Sequence, residues 1–305
     1  MLTVGSLTAA ELQRRLEHPG LALRTGAFVN LITSSVPELC SGIGLLYADY
    51  PLAGATDFPD FHLGFHRSRG LRRWWRPQVR FTHDGVAPFV PLPLDQAAPM
   101  FEWMLNWCVS SRAHSYLMIH AAVVEKDGCA AILPAPPGSG KSTLCAALVH
   151  RGWRLLSDEL TMIRLGDGLV VPLPRPISLK NASIDVIRDY VPGAVFGRSV
   201  HDTAKGTVAL LKPPADSVAR AGDPARPAWV VFPKYEAGAP ASLEALAPAR
   251  AFMRLAENSF NYSLLGPAGF DAMGALIDRT ESYQFTYSVL DEAIDAFSSL
   301  VPRPL

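Results

Sequence analysis

The stretch Ala135-Pro136-Pro137-Gly138-Ser139-Gly140-Lys141-Ser142-Thr143 constrains this chain more than any other. An apolar run, Cys129 to Pro134, leads into it, and a helical pattern over 141–151 leads out. Glycines at 138 and 140 allow backbone conformations closed to other residues, so successive N–H groups can converge on one point. The helix that follows adds the partial positive charge of its N-terminus. Between a strand and a helix, such a loop is expected to cradle phosphate through Pro137, Gly138, Ser139, Gly140, Lys141, Ser142 and Thr143. Lys141 would reach the β- and γ-phosphates and Ser142 would hold Mg²⁺, so ATP and Mg²⁺ are the expected cofactors. Ala135 stands where the pattern has its first glycine, and a chance Gly-Ser-Gly turn is the plain alternative.

Composition narrows the remaining choices. The 305 residues are 49% hydrophobic and 18% charged, enough apolar material for a large core, which excludes disordered and coiled-coil architectures. Lys+Arg and Asp+Glu balance at 28 each, so no global positive field gathers nucleic acid or anionic lipid, and no nucleic-acid partner is expected. Only six of the basic residues are lysines, which draws attention to each of them. Cys40, Cys108, Cys129 and Cys145 are too scattered for a disulfide framework or zinc cluster and read as buried thiols in a reducing compartment. The N-terminus has no apolar leader core and no run is long enough to span a membrane, so a cytoplasmic location is expected.

The periodicity divides the chain near residue 95, giving an N-terminal strand-rich domain over 1–95 and an α/β domain over 96–305. In the first, Thr8 and Glu11 form a capping box for a helix that stops at Pro19-Gly20. The rest, over 21–95, reads as short strands and turns, with strands over 27–32 and 61–65 and a hairpin over 78–90 turning at Asp84-Gly85. In the second, a helix over 97–110 precedes a hairpin of 115–125 with 129–134. Then come the loop and its helix, a strand over 154–156, a hairpin over 160–171 and a helix over 182–190. A loop around 197–207, a strand over 228–232, a helix over 249–265, a strand over 282–288 and a closing helix over 289–297 complete it.

Asp158 and Glu159 fall just after the 154–156 strand, where ligands collect in sheets of this kind. An acid there can hold Mg²⁺ or take a proton from an attacking hydroxyl, whereas a turn-capping pair is the plainer reading. Strand alternation argues against both acids pointing into one site. His120 alone would read as a core histidine. Lys180 and Lys205 lie in polar loops and could clamp a transferred phosphate or sit solvated. Arg254, Asn258 and Asn261 share one face of the 249–265 helix, which could be a polar site face or a solvated one. His62 and His66 are about 13 Å apart along a strand and do not form a metal pair. Arg67, Arg69, Arg72, Arg73, Arg76 and Arg80 with Trp74 and Trp75 make a basic-aromatic patch that could dock an acidic peptide or another subunit, or be a solvated turn that packs its tryptophans.

Taken together, Met118-Ile119-His120-Ala121, the loop at 135–142 and Asp158-Glu159 resemble the HPr kinase/phosphorylase family, which has a Ser-x-His-Gly segment, a phosphate loop and an Asp-Asp pair at these spacings. More closely, the chain resembles the bacterial HPr-kinase-related "kinase A" proteins, often associated with exosortase protein sorting. Pro176-Ile-Ser-Leu-Lys-Asn181, Lys205-Gly-Thr207 and Leu255-Ala-Glu-Asn-Ser-Phe-Asn-Tyr262 carry that likeness over most of 115–300. The resemblance implies a P-loop kinase domain of HPr-kinase type, a mixed sheet with flanking helices, that transfers the γ-phosphoryl group of ATP to a hydroxyl, foremost Ser of a protein or peptide. It implies Asp158 as proton acceptor, Glu159 as Mg²⁺ support and His120 as the group that orients acid or acceptor. Three departures stand out: Glu159 replaces the second Asp, the region of Ser178 lacks the family's Glu-Ile-Arg-Gly segment, and the family's own N-terminal domain has no counterpart. A small-molecule kinase acting on an amino acid or sugar, and an ATP-binding sensor or scaffold without catalysis, are the rival readings. A homo-oligomer is compatible with each.

Overall fold

The computed structural model describes residues 2–54, 56–68, 70 and 74–302. Helix α1 (Ala9–Glu17) opens on the expected capping box: Thr8 Oγ1 accepts from the Glu11 N–H at 3.3 Å, and the Glu11 carboxylate accepts from the Thr8 N–H at 2.8 Å. Strands β1 (Leu21–Thr25), β2 (Phe28–Ser34), β3 (Phe61–Arg67), β4 (Gln78–His83) and β5 (Leu92–Pro93) form a five-stranded sheet in that order. The β2–β3 pair is parallel and needs a crossover, supplied by a helix, α2 (Pro37–Leu46), where the sequence predicts only strands and turns. Leu39, Ile43 and Leu46 form its buried stripe, but Ser41, Gly42 and Gly44 between them are weak helix formers, which hid the pattern. The expected 78–90 hairpin forms only at its tip, a His83–Val86 bridge across Asp84-Gly85, and the chain rejoins the sheet at β5. Pro88 and Pro91 have no N–H for a returning ladder.

Helix α3 (Ala97–Arg112) follows, two residues longer than expected, and buries Met100, Phe101, Met104, Leu105, Cys108 and Val109 against this sheet. The same core takes in Met118, Leu160, Met162, Leu173 and Leu210 from farther along the chain. Next come β6 (Tyr116–Lys126), β7 (Cys129–Pro134), α4 (Lys141–Val149), β8 (Arg154–Ser157), β9 (Leu160–Arg164), β10 (Val170–Val171), β11 (Ile177–Lys180) and α5 (Ala182–Tyr190). They are followed by β12 (Val200–Thr203), β13 (Gly206–Leu211), α6 (Ala215–Ala219), β14 (Arg226–Tyr235), β15 (Ser242–Ala245), α7 (Pro248–Glu257), α8 (Tyr262–Leu265), α9 (Pro267–Arg279), β16 (Glu281–Tyr287) and α10 (Leu290–Ser298).

The chain is mixed α/β, with mixed sheets and flanking helices. The eight-stranded sheet runs β10-β9-β6-β7-β14-β16-β15, with β8 also paired to β6. Strands β7, β14 and β16 are mutually parallel and the remaining pairs antiparallel. One face, through Ala122, Val124, Ala131, Leu133, Val231 and Phe285, packs on α4, α10 and a three-stranded sheet ordered β11-β13-β12. The other, through Ile119, Ala121, Val123, Ile132 and Val230, packs on α7 and α9. The β6–β7 turn has Asp127 at φ 53° and Gly128 at φ 79°, the positive pair a two-residue hairpin requires.

Three expectations for this half change. The 197–207 loop is the β12–β13 hairpin, and 267–279 is a helix where none was predicted. The 249–265 helix ends at Glu257 and resumes only as the single turn α8. Its polar residues compete for backbone partners: Asn258 Nδ2 donates to the Arg254 carbonyl at 2.7 Å and Ser259 Oγ to that of Met118 at 2.8 Å. Cys108, Cys129 and Cys145 are buried as expected, while Cys40 is half-buried. In the basic-aromatic patch Trp74 and Trp75 are largely exposed, with the Arg76 guanidinium 5.6 Å from the Trp75 ring, and Arg69, Arg72 and Arg73 lie outside the described residues. Among the described residues no helix is long and apolar enough to cross a membrane.

Candidate functional site

The loop leaves β7 at Pro134 and turns through Gly138 (φ 87°) and Gly140 (φ 85°) into α4. At Gly140 the backbone also has no room for a side chain: a Cβ would stand 2.5 Å from the Tyr287 hydroxyl. That hydroxyl donates to the Gly140 carbonyl at 3.0 Å, and the Tyr235 N–H donates to the Ser139 carbonyl at 2.9 Å. Both tyrosines close the carboxyl ends of the neighbouring parallel strands, so the loop is fastened where open α/β sheets gather ligands. The first-turn N–H groups of α4 have no partner within the helix and face the loop.

Asp158 and Glu159 bridge β8 and β9, which both pair with β6 and leave the acids opposite Ala121 and Ala122. The two acids take different partners, yet both line one recess beside Lys141, where alternation argued that only one would face it. Asp158 is buried, and its Oδ2 accepts from Ser142 Oγ at 3.2 Å and from the Ser178 N–H of β11 at 3.1 Å. Its Oδ1 is buried with no partner among the described residues. Burial raises the Asp158 carboxyl above its ordinary range against the pull of Lys141. Lys141 is itself buried, which lowers its ammonium, while Asp158 and Glu159 act to restore it. Glu159 turns instead toward α3, where Asn106 Nδ2 donates to its Oε2. Burial alone would raise Glu159, but Lys205, Lys141, Lys180 and Arg175 together hold it below the ordinary range.

His120 lies between Met118 of the first core and Ala122 beneath α4, so alternation along β6 points it to the phosphate-loop face. Its ring lies 5.6 Å from that of Phe260. Burial first, then Lys141, Lys180 and Lys205 against Glu159, bring it down to about 4, so it is neutral at physiological pH. Lys180 and Lys205 are brought together by a clasp. Asn181, at φ 51°, donates its N–H to the Thr207 carbonyl at 2.9 Å and accepts the Thr207 N–H on Oδ1 at 3.0 Å. Lys205 Nζ rests 5.3 Å above the Trp103 ring.

The other three candidates make contacts elsewhere. Arg254 stacks on Phe232 at 3.9 Å and donates to Gln284 Oε1 at 2.7 Å, on the face opposite α4. The Asn258 carbonyl accepts the His120 N–H at 2.7 Å. Buried Asn261 accepts from the Met118 N–H at 2.9 Å and donates to the Tyr116 carbonyl at 2.8 Å, fastening β6. Four residues at the acid pair had no sequence signal: Glu102, Trp103 and Asn106 of α3, and Arg175, line a recess with Ser157, Asp158 and Glu159. A lone acid in the helix over 97–112 and an arginine between two prolines were visible, but nothing linked them across 73 positions.

The donors fit a magnesium–nucleotide. A hydroxyl and a carboxylate oxygen share one point, a second carboxylate oxygen is orphaned, and a buried ammonium lies at the N-terminus of α4, where an anion would be favoured. Among the described residues no cluster of three or more His, Cys, Asp or Glu forms an all-protein metal site, and magnesium at phosphates does not need one. No family model matches the chain, and no curated protein sequence matches it.

Proposed function

We propose that the protein is an ATP-dependent, Mg²⁺-requiring phosphotransferase acting on a hydroxyl, with Ser of a protein or peptide as the acceptor class. The observation that carries this reading is the Ser142–Asp158 hydrogen bond beside buried Lys141 at the mouth of the loop. The resemblance of 118–121, the loop and the acid pair to HPr kinases points the same way. Bound between Ser142 and Asp158, Mg²⁺ would neutralise phosphate charge. Lys141 holds the β/γ-phosphates, and Lys180 and Lys205 offset the charge on the transferred group. As the acceptor oxygen bonds to phosphorus, the bond to the ADP oxygen breaks and the hydroxyl proton passes to a carboxylate.

The Ser142–Asp158 bond favours Glu159, the more accessible acid, as that carboxylate and Asp158 as the metal-side group. This reverses the roles the family implies. Neutral His120 is then suited to hydrogen-bond the acceptor. A pocket of about 300 Å³ lined by Asp95, Gln96, Arg198, His201 and Asp202 lies beside the hairpin that carries Lys205.

Calorimetry with Mg-ATP, paired with transfer of γ-labelled phosphate into a lysate, tests the reading. Wild type should bind and label, whereas Lys141→Ala should lose both. Equal binding by the two would remove the phosphate-loop assignment. Asp158→Asn should weaken Mg²⁺-dependent binding, and Glu159→Gln should retain binding and reduce transfer to a small, still measurable residual rate.

A further inference from the structure

Glu159 is carried by the large sheet, yet its carboxylate is held from elsewhere. Glu102 and Asn106 are four residues apart on α3 and share one face. Arg175, in the segment leading to β11, donates through Nη2 to Asn106 Oδ1 and through Nη1 to the Glu102 carbonyl at 3.4 Å, with that Nη1 3.5 Å from Glu102 Oε2. The Tyr47 hydroxyl, just past α2, donates to Glu102 Oε1. Arg175 and Glu102 are both buried. The Asn106 amide has one permitted orientation, because Arg175 can only donate and ionised Glu159 can only accept.

We propose that Asn106 and Arg175 are positioning residues for Glu159, fixing its carboxylate at the phosphate loop in a geometry set by α2 and α3 through Tyr47 and Glu102. The inference rests on the phosphotransferase reading for the role of Glu159 and adds what aims it. A residue aimed by a separate layer is sensitive to that layer: a shift of α3 moves the acid without disturbing the loop that binds nucleotide. Asn106→Asp isolates the link, since aspartate still accepts from Arg175 but can no longer donate to Glu159 and sets a second negative charge beside it.

Asn106→Asp should lower kcat about 100-fold, the cost of an ångström-scale misplacement, while changing Mg-ATP affinity less than about threefold. In a Glu159→Gln background the same substitution should cost almost nothing further, because the group it aims is gone. An equal loss in both backgrounds, or a parallel loss of nucleotide affinity, overturns the proposal. A second cycle in urea unfolding, Asn106→Leu with Glu159→Gln, should be non-additive, and additivity would also overturn it. If wild type binds Mg-ATP and transfers nothing, the phosphotransferase reading falls while the unfolding cycle still decides the Asn106–Glu159 link.

Discussion

Two buried arginines face buried glutamates in this molecule and end differently. Arg154 is closed on all sides: Nε donates to Glu125 Oε2 at 2.5 Å, Nη1 to the Arg220 carbonyl at 2.8 Å and Nη2 to the Asp223 carbonyl at 3.0 Å. Glu125 spends its other oxygen on the Gly128 N–H at 2.5 Å. Arg220 also comes within 3.6 Å of Glu125 Oε2 and pairs with Asp216 and Asp223, so that set staples the 220–223 segment and the β6–β7 turn to the sheet and ends in exposed side chains. Arg175 leaves Nε buried without a partner, and its network continues through Asn106 to Glu159. Arg154 spends each of its nitrogens on structure, whereas Arg175 reaches the acid pair.

The largest expected effect tests the closed set. Arg154→Met should lower the unfolding free energy by about 3 kcal/mol, because buried Glu125 keeps only the part-exposed Arg220, 3.6 Å away, as a counter-charge and the Arg220 and Asp223 carbonyls lose their donors. Urea denaturation measures this, and the folded fraction should bind Mg-ATP as wild type does. Arg175→Met should cost only about 1–3 kcal/mol of stability, since burial already raises the Glu102 carboxyl to about 7 and it can take a proton instead of remaining charged. On the phosphotransferase reading, its kcat should nevertheless fall about 100-fold. Equal stability losses for the two arginines would erase the contrast.

A smaller effect separates the glutamates by pH. Glu102 titrates near 7 in the folded protein against an ordinary 4.5, so the folded state holds an extra proton between those values. Its contribution to stability is complete below pH 4.5 and is lost as pH rises through 7, at up to about 1.4 kcal/mol per pH unit. Glu102→Gln should flatten that slope in urea titrations across the window, and an unchanged slope would remove Glu102 as its source. The smallest effect belongs to an exposed pair: Asp167→Asn, which removes the partner of Arg164, should leave the urea midpoint unmoved.

What was legible followed local rules. The capping box at Thr8, the Asp127-Gly128 turn, the strand–loop–helix at 129–149 and the position of the acid pair after a short strand each depend on a few neighbouring residues. Where local signals were weak or contested, reading failed. Glycines masked α2, prolines cut the 78–90 hairpin short, and Asn258, Ser259 and Asn261 ended a helix whose apolar spacing seemed to run on. The lysines illustrate the boundary. Scarcity singled out Lys180 and Lys205, but their convergence needs Asn181 and Thr207 to bond across a 26-residue gap.

The sequence by itself determined the strand–loop–helix at 129–149 and which acids stand near it, because backbone conformation and strand order are properties of contiguous segments. Only the tertiary structure decided which acid takes Ser142 and which turns to Asn106, and that Glu102 and Arg175 lie behind them. Those choices depend on burial, and burial is assigned when α3 packs between a sheet whose strands precede it and residues such as Met118, Leu160 and Leu210 that come later in the chain. A buried polar group must find a partner wherever the fold supplies one, at whatever sequence distance, and no local pattern encodes that distance.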